Sequence, residues 1–153
     1  MFSALLYEFI IWGGTLQVHS LPNIRNLQDR IVKNLFRHRF PSDSVNELYI
    51  RLNILKVADI YRLELMKFFF GIKDNDRLLD KFNLKRNQGA RTNRETPEFI
   101  IPFPRVDTVK CNMHYQIPYV WNEIPQNIRS ISSLPLFIRK LKEHYLNGYS
   151  ETT

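Results

Sequence analysis

Apolar residues recur along this chain at helical rather than strand-like steps. Ile24, Leu27, Ile31 and Leu35 follow one another at intervals of three and four, which predicts an amphipathic helix over 23–39, stopped by Pro41. Ser44-Val45-Asn46-Glu47 has the form of a capping box and predicts a short helix from that point. Between Val57 and Phe70 the apolar positions cover most of a helical circumference. Only Asp59, Arg62, Glu64 and Lys67 are left for water or partners, so this is the expected central core helix, with Gly71 as its C-cap. Asp74-Asn75-Asp76 reads as a helix start for 77–84, because Leu78 and Leu79 stand where a calcium loop needs an oxygen ligand and a glycine. Leu134, Phe137, Ile138, Leu141 and Tyr145 mark a last helix, begun at Ser132-Ser133 and ended at Gly148.

Two stretches break this pattern. Residues 85–98 are almost free of apolar side chains and read as a basic polar linker between a helical region, 1–84, and a smaller C-terminal module, 99–148, with a tail at 149–153. From Phe99 to Val106 the composition is strand-like but interrupted by Pro102 and Pro104. This predicts an edge strand or extended segment pairing at most with 106–110. The fold class expected is therefore mainly α, about five helices with one short β-hairpin or extended segment near 99–110. At the N-terminus, residues 1–14 lack a basic leader region and are too short for a membrane span, so a buried helix is expected there, and no membrane partner.

Composition narrows the function classes. With 153 residues, 44% apolar, 5 Gly and 8 Pro, the chain can bury a core and is neither fibrous nor disordered. A lone cysteine, Cys111, excludes a disulfide framework and fits an intracellular setting, nucleus or cytoplasm. The net charge of +7 is concentrated locally. In 23–40, Arg25, Arg30, Lys33, Arg37 and Arg39 face only Asp29; in 81–110 seven bases, including Arg91, Arg94, Arg105 and Lys110, face three acids; 41–80 is close to neutral. Arg30, Lys33 and Arg37 share helical spacing and form a basic stripe. It is either a solvated face eased by Arg25–Asp29 and Asp29–Lys33 pairs, or a contact surface for a polyanion.

Candidate chemistry is sparse. His19, His38, His114 and His144 are scattered, and Cys111 with His114 falls short of a four-ligand zinc site. No nucleophile elbow, phosphate loop, dinucleotide fingerprint or metalloprotease helix is present, and no acidic pair is placed to hold two magnesium ions. Catalytic residues, metal ligands and cofactors are all read as none, and the chain is not expected to be an enzyme on its own.

Several segments in order resemble a known family. Tyr115-Gln116-Ile117-Pro118-Tyr119-Val120-Trp121-Asn122-Glu123-Ile124-Pro125, followed by Ile128, Ser133, Phe137, Leu141 and Lys142, is similar to the closing pattern of non-LTR retrotransposon reverse transcriptases, the jockey-like and related LINE elements. Residues 52–61 resemble a stretch beyond the thumb of those enzymes, and Leu6–Gly13 resembles their Tyr-Gly-x-x-x-Trp-Gly helix. Ile117 and Glu8 stand where the family often has glycine. The resemblance implies a thumb-like region in 1–84 and a post-catalytic fragment of an RNA-directed DNA polymerase. The catalytic Tyr-x-Asp-Asp turn and the magnesium it uses would belong to the full-length enzyme. It further implies non-specific contact with an RNA or DNA backbone through Arg30, Lys33, Arg37, Arg91, Arg94, Arg105 and Lys110, and the palm domain or another protein as a second partner. The alternative is a helical protein-interaction module, or a retained transposon fragment with no enzymatic role.

Overall fold

The computed structural model describes residues 21–87, 97–103 and 110–150. The fold is mainly α. Seven helices occur among the described residues: α1 (Leu21–Phe36), α2 (Val45–Leu52), α3 (Val57–Ile72), α4 (Asp76–Lys81), α5 (Met113–Glu123), α6 (Gln126–Arg129) and α7 (Leu134–Gly148). The expected N-terminal helix, the core of the 85–98 linker and most of the 99–110 hairpin lie outside the described residues.

Helix α3 organises the rest because it has apolar side chains on nearly every side. Tyr61, Leu63, Leu65, Met66, Phe69 and Ile72 are buried, and α1, α5 and α7 pack against it. The described parts of 1–84 and 99–148 share one core, running from Val32 through Phe69 and Trp121 to Tyr149. Its centre is aromatic. Phe69 meets Phe99 and Trp121 edge-on at 5.3 and 5.0 Å between ring centroids, and Trp121 lies 6.0 Å from Phe137.

The extended segment 97–103 is held on both edges. On one side Phe99 pairs antiparallel with Arg86, through Asn87 N–H to the Glu98 carbonyl and Ile100 N–H to the Lys85 carbonyl, both 2.9 Å. In that pairing the N–H and C=O of Phe99 itself point away from Arg86. The Asn122 side chain meets them, accepting from Phe99 N–H at 3.2 Å and donating to its carbonyl at 2.7 Å. An amide side chain thus stands in for a third strand. Trp121 donates its indole N–H to Glu98 at 2.8 Å, so the Trp-Asn pair is an anchor for this segment. It is Phe99 that enters the core; Ile100 and Phe103 are 50% and 94% exposed.

Three local expectations need correction. The stretch around Pro118, for which the sequence predicts no helix, is helix α5, and the helix count rises accordingly. The missing Pro118 amide leaves the helix one bond short, a cost of about 3 kcal/mol in an ordinary helix interior. Burial of Ile117, Val120 and Trp121, each no more than 2% exposed, opposes it. Asp29 forms neither expected ion pair; its carboxylate accepts a hydrogen bond from Tyr49 at 2.8 Å. Gly71 is no C-cap. Helix α3 continues to Ile72, and Lys73 follows in the right-handed region. By contrast the Ser44–Glu47 capping box forms in both directions, and Asn75 caps α4.

The entry to α3 is capped from afar. Gln28 accepts from Val57 N–H at 2.9 Å and donates to the Leu55 carbonyl at 3.0 Å. Lys56 N–H donates to the Tyr149 hydroxyl at 3.0 Å, and that hydroxyl donates to Asp59 at 2.5 Å. The Lys56 ammonium reaches Asn46 at 2.8 Å and sits 4.4 Å above the Tyr149 ring. Burial and nearby Arg25 lower the pKa of Lys56.

Two tests follow from this packing. A Cβ added at Gly71 meets nothing within 4 Å, so Gly71→Ala raises stability by about 0.5–1 kcal/mol in urea melts. Burial holds the hydroxyl pKa of Tyr49, Tyr61, Tyr145 and Tyr149 above the ordinary tyrosine value of 10.0, with Tyr61 pushed up to about 12. Above pH 10 the unfolded chain releases these protons while the folded chain keeps them. Stability is therefore intact below pH 10 and falls beyond it by about 1.4 kcal/mol per pH unit for each tyrosine. Lys56 opposes this, since stability rises with pH between its lowered folded pKa and 10.5, but it is one group against four. Chemical melts at pH 9 and pH 11 check the sign.

Candidate nucleic-acid interface

Helix α1 divides its surface three ways. Gln28, Asp29, Val32 and Phe36 turn inward, tied by the Gln28 bonds to the α2–α3 connection and by the Asp29–Tyr49 bond. These polar ties rotate the helix so that the apolar stripe legible in the sequence is not the packed face. Ile24, Leu27, Ile31 and Leu35 are 37%, 55%, 48% and 69% exposed. Arg30, Lys33 and Arg37 are exposed on the remaining side, with no ion-pair partner among the described residues.

The C-terminal end of this basic stripe opens into a groove of about 330 Å³ lined by Lys33, Asn34, Arg37, Phe40 and Asp43, with Pro41 and Leu48. The turn at Pro41 brings α2 back beside α1, and with it Arg51. The Arg51 guanidinium lies 4.5 Å over the Phe40 ring and pairs with Asp43 at 3.0 Å; Arg39 approaches the same ring at 5.9 Å. Lys33, Arg37, Arg39 and Arg51 therefore gather about one half-buried aromatic ring, with Asp43 as the acid in the groove lining. A guanidinium stacked on a ring keeps its N–H edge available for phosphate oxygens.

The structure thus brings together Lys33 and Arg37 of the expected contact set, with Arg30 exposed one turn earlier on α1. Lys110 is exposed but outside the groove lining, its carbonyl accepting from Gln116 at 2.5 Å. Arg91, Arg94 and Arg105 lie outside the described residues. Sequence reasoning missed Arg51 and Phe40, since Arg51 sits in the charge-neutral middle stretch and reaches the groove only through the α1–α2 fold-back. Tyr115 and Tyr119 stack on each other at 5.8 Å and 12°. A hydrogen bond with Glu123 raises the Tyr119 hydroxyl above its usual pKa. Trp121 is 1% exposed and available to no base.

Among the described residues no three His, Cys, Asp or Glu side chains converge as a metal site. No helix among them is long and apolar enough to cross a membrane. No known protein family, curated protein or solved structure matches the chain.

Asp43 holds Arg51 and puts a negative charge in the groove. Asp43→Asn releases both effects, and the variant is expected to elute from a heparin column at higher salt than the parent. Unchanged elution would move polyanion binding away from this groove.

Proposed function

We propose that the chain is a C-terminal, post-catalytic piece of an RNA-directed DNA polymerase of the non-LTR retrotransposon type, acting inside the cell in nucleus or cytoplasm. Its task in this reading is to hold the backbone of template RNA or DNA without reading sequence, and it carries no polymerase chemistry alone. The ordered resemblance over much of the chain supports the family. The observation that carries the binding role is the set of Arg30, Lys33 and Arg37, exposed on one side of α1 without acidic partners among the described residues and continued by Arg51 beside Phe40. Phosphates neutralised by these groups release condensed counterions, so affinity depends steeply on salt and little on base order.

A second reading, a helical protein-interaction module, has its own support in the exposed apolar row Ile24, Leu27, Ile31 and Leu35. In the enzymes the chain resembles, a palm domain would be the neighbour available to such a surface.

The two readings separate in one experiment. If three phosphates are engaged, binding to a mixed-sequence duplex weakens about 40-fold between 50 and 200 mM salt. Replacing Arg30, Lys33 and Arg37 together by alanine lowers the slope of log affinity against log salt by about 3. Binding that ignores both salt and the triple replacement rejects the nucleic-acid role. Self-association in light scattering that Leu27→Glu abolishes favours the interaction module.

A further inference from the structure

The connection from α1 to α2 carries a hydroxyl that neither functional reading uses. Ser42 is exposed in the turn at Pro41, and its two chain neighbours, Pro41 and Asp43, both line the groove at the end of the basic stripe. Arg39 stands three residues before it and Arg37 five residues before it. No other serine or threonine of the chain has an arginine or lysine at both of those positions. In an extended peptide, residues two apart share one face, so Arg37 and Arg39 present their charges side by side with the Ser42 hydroxyl at a set distance beyond them. A protein kinase whose substrate cleft is lined by carboxylates holds such a pair through charge-assisted hydrogen bonds.

The fold leaves this segment open to a kinase. Arg37 and Arg39 are exposed, and neither has an acidic partner among the described residues. Residues 37–44 belong to no helix or strand, so they can extend without unwinding α1 or α2. Competing hydroxyls are placed worse. Ser44 has Pro41 three residues before it, and its side chain already accepts from Glu47 N–H at 3.2 Å as the cap of α2. Ser132 has Arg129 at that position, but the Arg129 side chain is 10% exposed and is tied to Glu98 at 3.5 Å.

A phosphate on Ser42 adds close to two negative charges and three acceptor oxygens at the rim of the groove. Arg39 and Arg51 crowd the Phe40 ring there at 5.9 and 4.5 Å, and Lys33 and Arg37 line the groove itself. Arg51 already holds one anion at this rim, the Asp43 carboxylate at 3.0 Å. We propose that Ser42 is a phosphorylation site for a kinase selective for basic substrates, and that its phosphate closes the groove to the nucleic-acid backbone. In the transfer, Ser42 Oγ forms a bond to the γ-phosphorus of magnesium-bound ATP. The bond from that phosphorus to the bridging oxygen breaks, ADP leaves with the electron pair, and the hydroxyl proton passes to a carboxylate base of the kinase. The site itself is independent of the nucleic-acid role, whereas the closing of the groove rests on that reading.

The test incubates the full chain with magnesium, ATP and a purified kinase that requires arginine three and five residues before its serine, and locates the phosphate by mass spectrometry. Ser42 is expected to carry it, with Ser42→Ala unlabelled at that position and Arg39→Gln labelled about tenfold more slowly. Phosphorus NMR then follows the second ionisation of the phosphate, ordinarily near pH 6. The gathered guanidinium groups lower it by about one unit in the folded chain relative to the same chain in urea. Affinity for a mixed-sequence duplex falls about tenfold on phosphorylation, and the slope of log affinity against log salt falls by about 2. The proposal is overturned if Ser42 stays unmodified, if the phosphate titrates alike in the folded chain and in urea, or if the phosphorylated chain binds duplex as the parent does. Where the unmodified chain itself binds no duplex, the nucleic-acid role and the closing of the groove fall together, and the labelling and the titration decide the site alone.

Discussion

A helix with apolar side chains on nearly every side cannot stand at a surface, and α3 imposes that constraint on everything around it. Phe69 alone meets Phe99 and Trp121 edge-on, so one residue couples the central helix to the extended segment and to α5. Phe70, 4.9 Å from Phe137, adds α7. Edge-to-face rings gain about 0.5–1.5 kcal/mol beyond the area they bury, and they fix orientation as well as proximity. Parts of the chain that are distant in sequence are drawn into one core because this helix offers no side on which to stop.

Around that apolar centre the polar contacts decide which way each element turns. Gln28 and Asp29 look like surface residues on a helix wheel, yet their bonds to the α2–α3 connection and to Tyr49 settle the rotation of α1. The result leaves an apolar row outward and frees the basic row from Asp29. Likewise Tyr149, four residues from Thr153, supplies a cap to Lys56 and a proton to Asp59, tying the last helix to the first turn of α3. Leaving such buried donors and acceptors without partners costs about 1–3 kcal/mol each, enough to select one arrangement among several with similar apolar burial.

What could be read from the sequence was what local rules govern. The capping box at Ser44, the Asn75 start, the all-round apolar character of 57–70 and the periodicity of the last helix are short-range signals, and each corresponds to an observed element. The identity of the inward face of α1 was not legible, because it depends on partners 20 or more residues away. Helix α5 was hidden by Pro118, whose penalty is local while its compensation through Trp121 and Ile117 is tertiary. For the candidate interface, helical spacing joined Arg30, Lys33 and Arg37, but only the fold-back at Pro41 adds Arg51 and the Phe40 ring.

The pairing of Arg86 with Phe99, fastened from behind by Asn122, also changes the polymer physics of what runs between them. Phe99 reaches Phe69 at 5.3 Å while Arg86 and Asn122 hold its backbone, so its seat in the core is fixed by contacts made outside 88–96. Joining two ends already held at their base costs only about 0.6 kcal/mol more for each doubling of the chain between them, which makes this connection the natural port for an inserted peptide or probe.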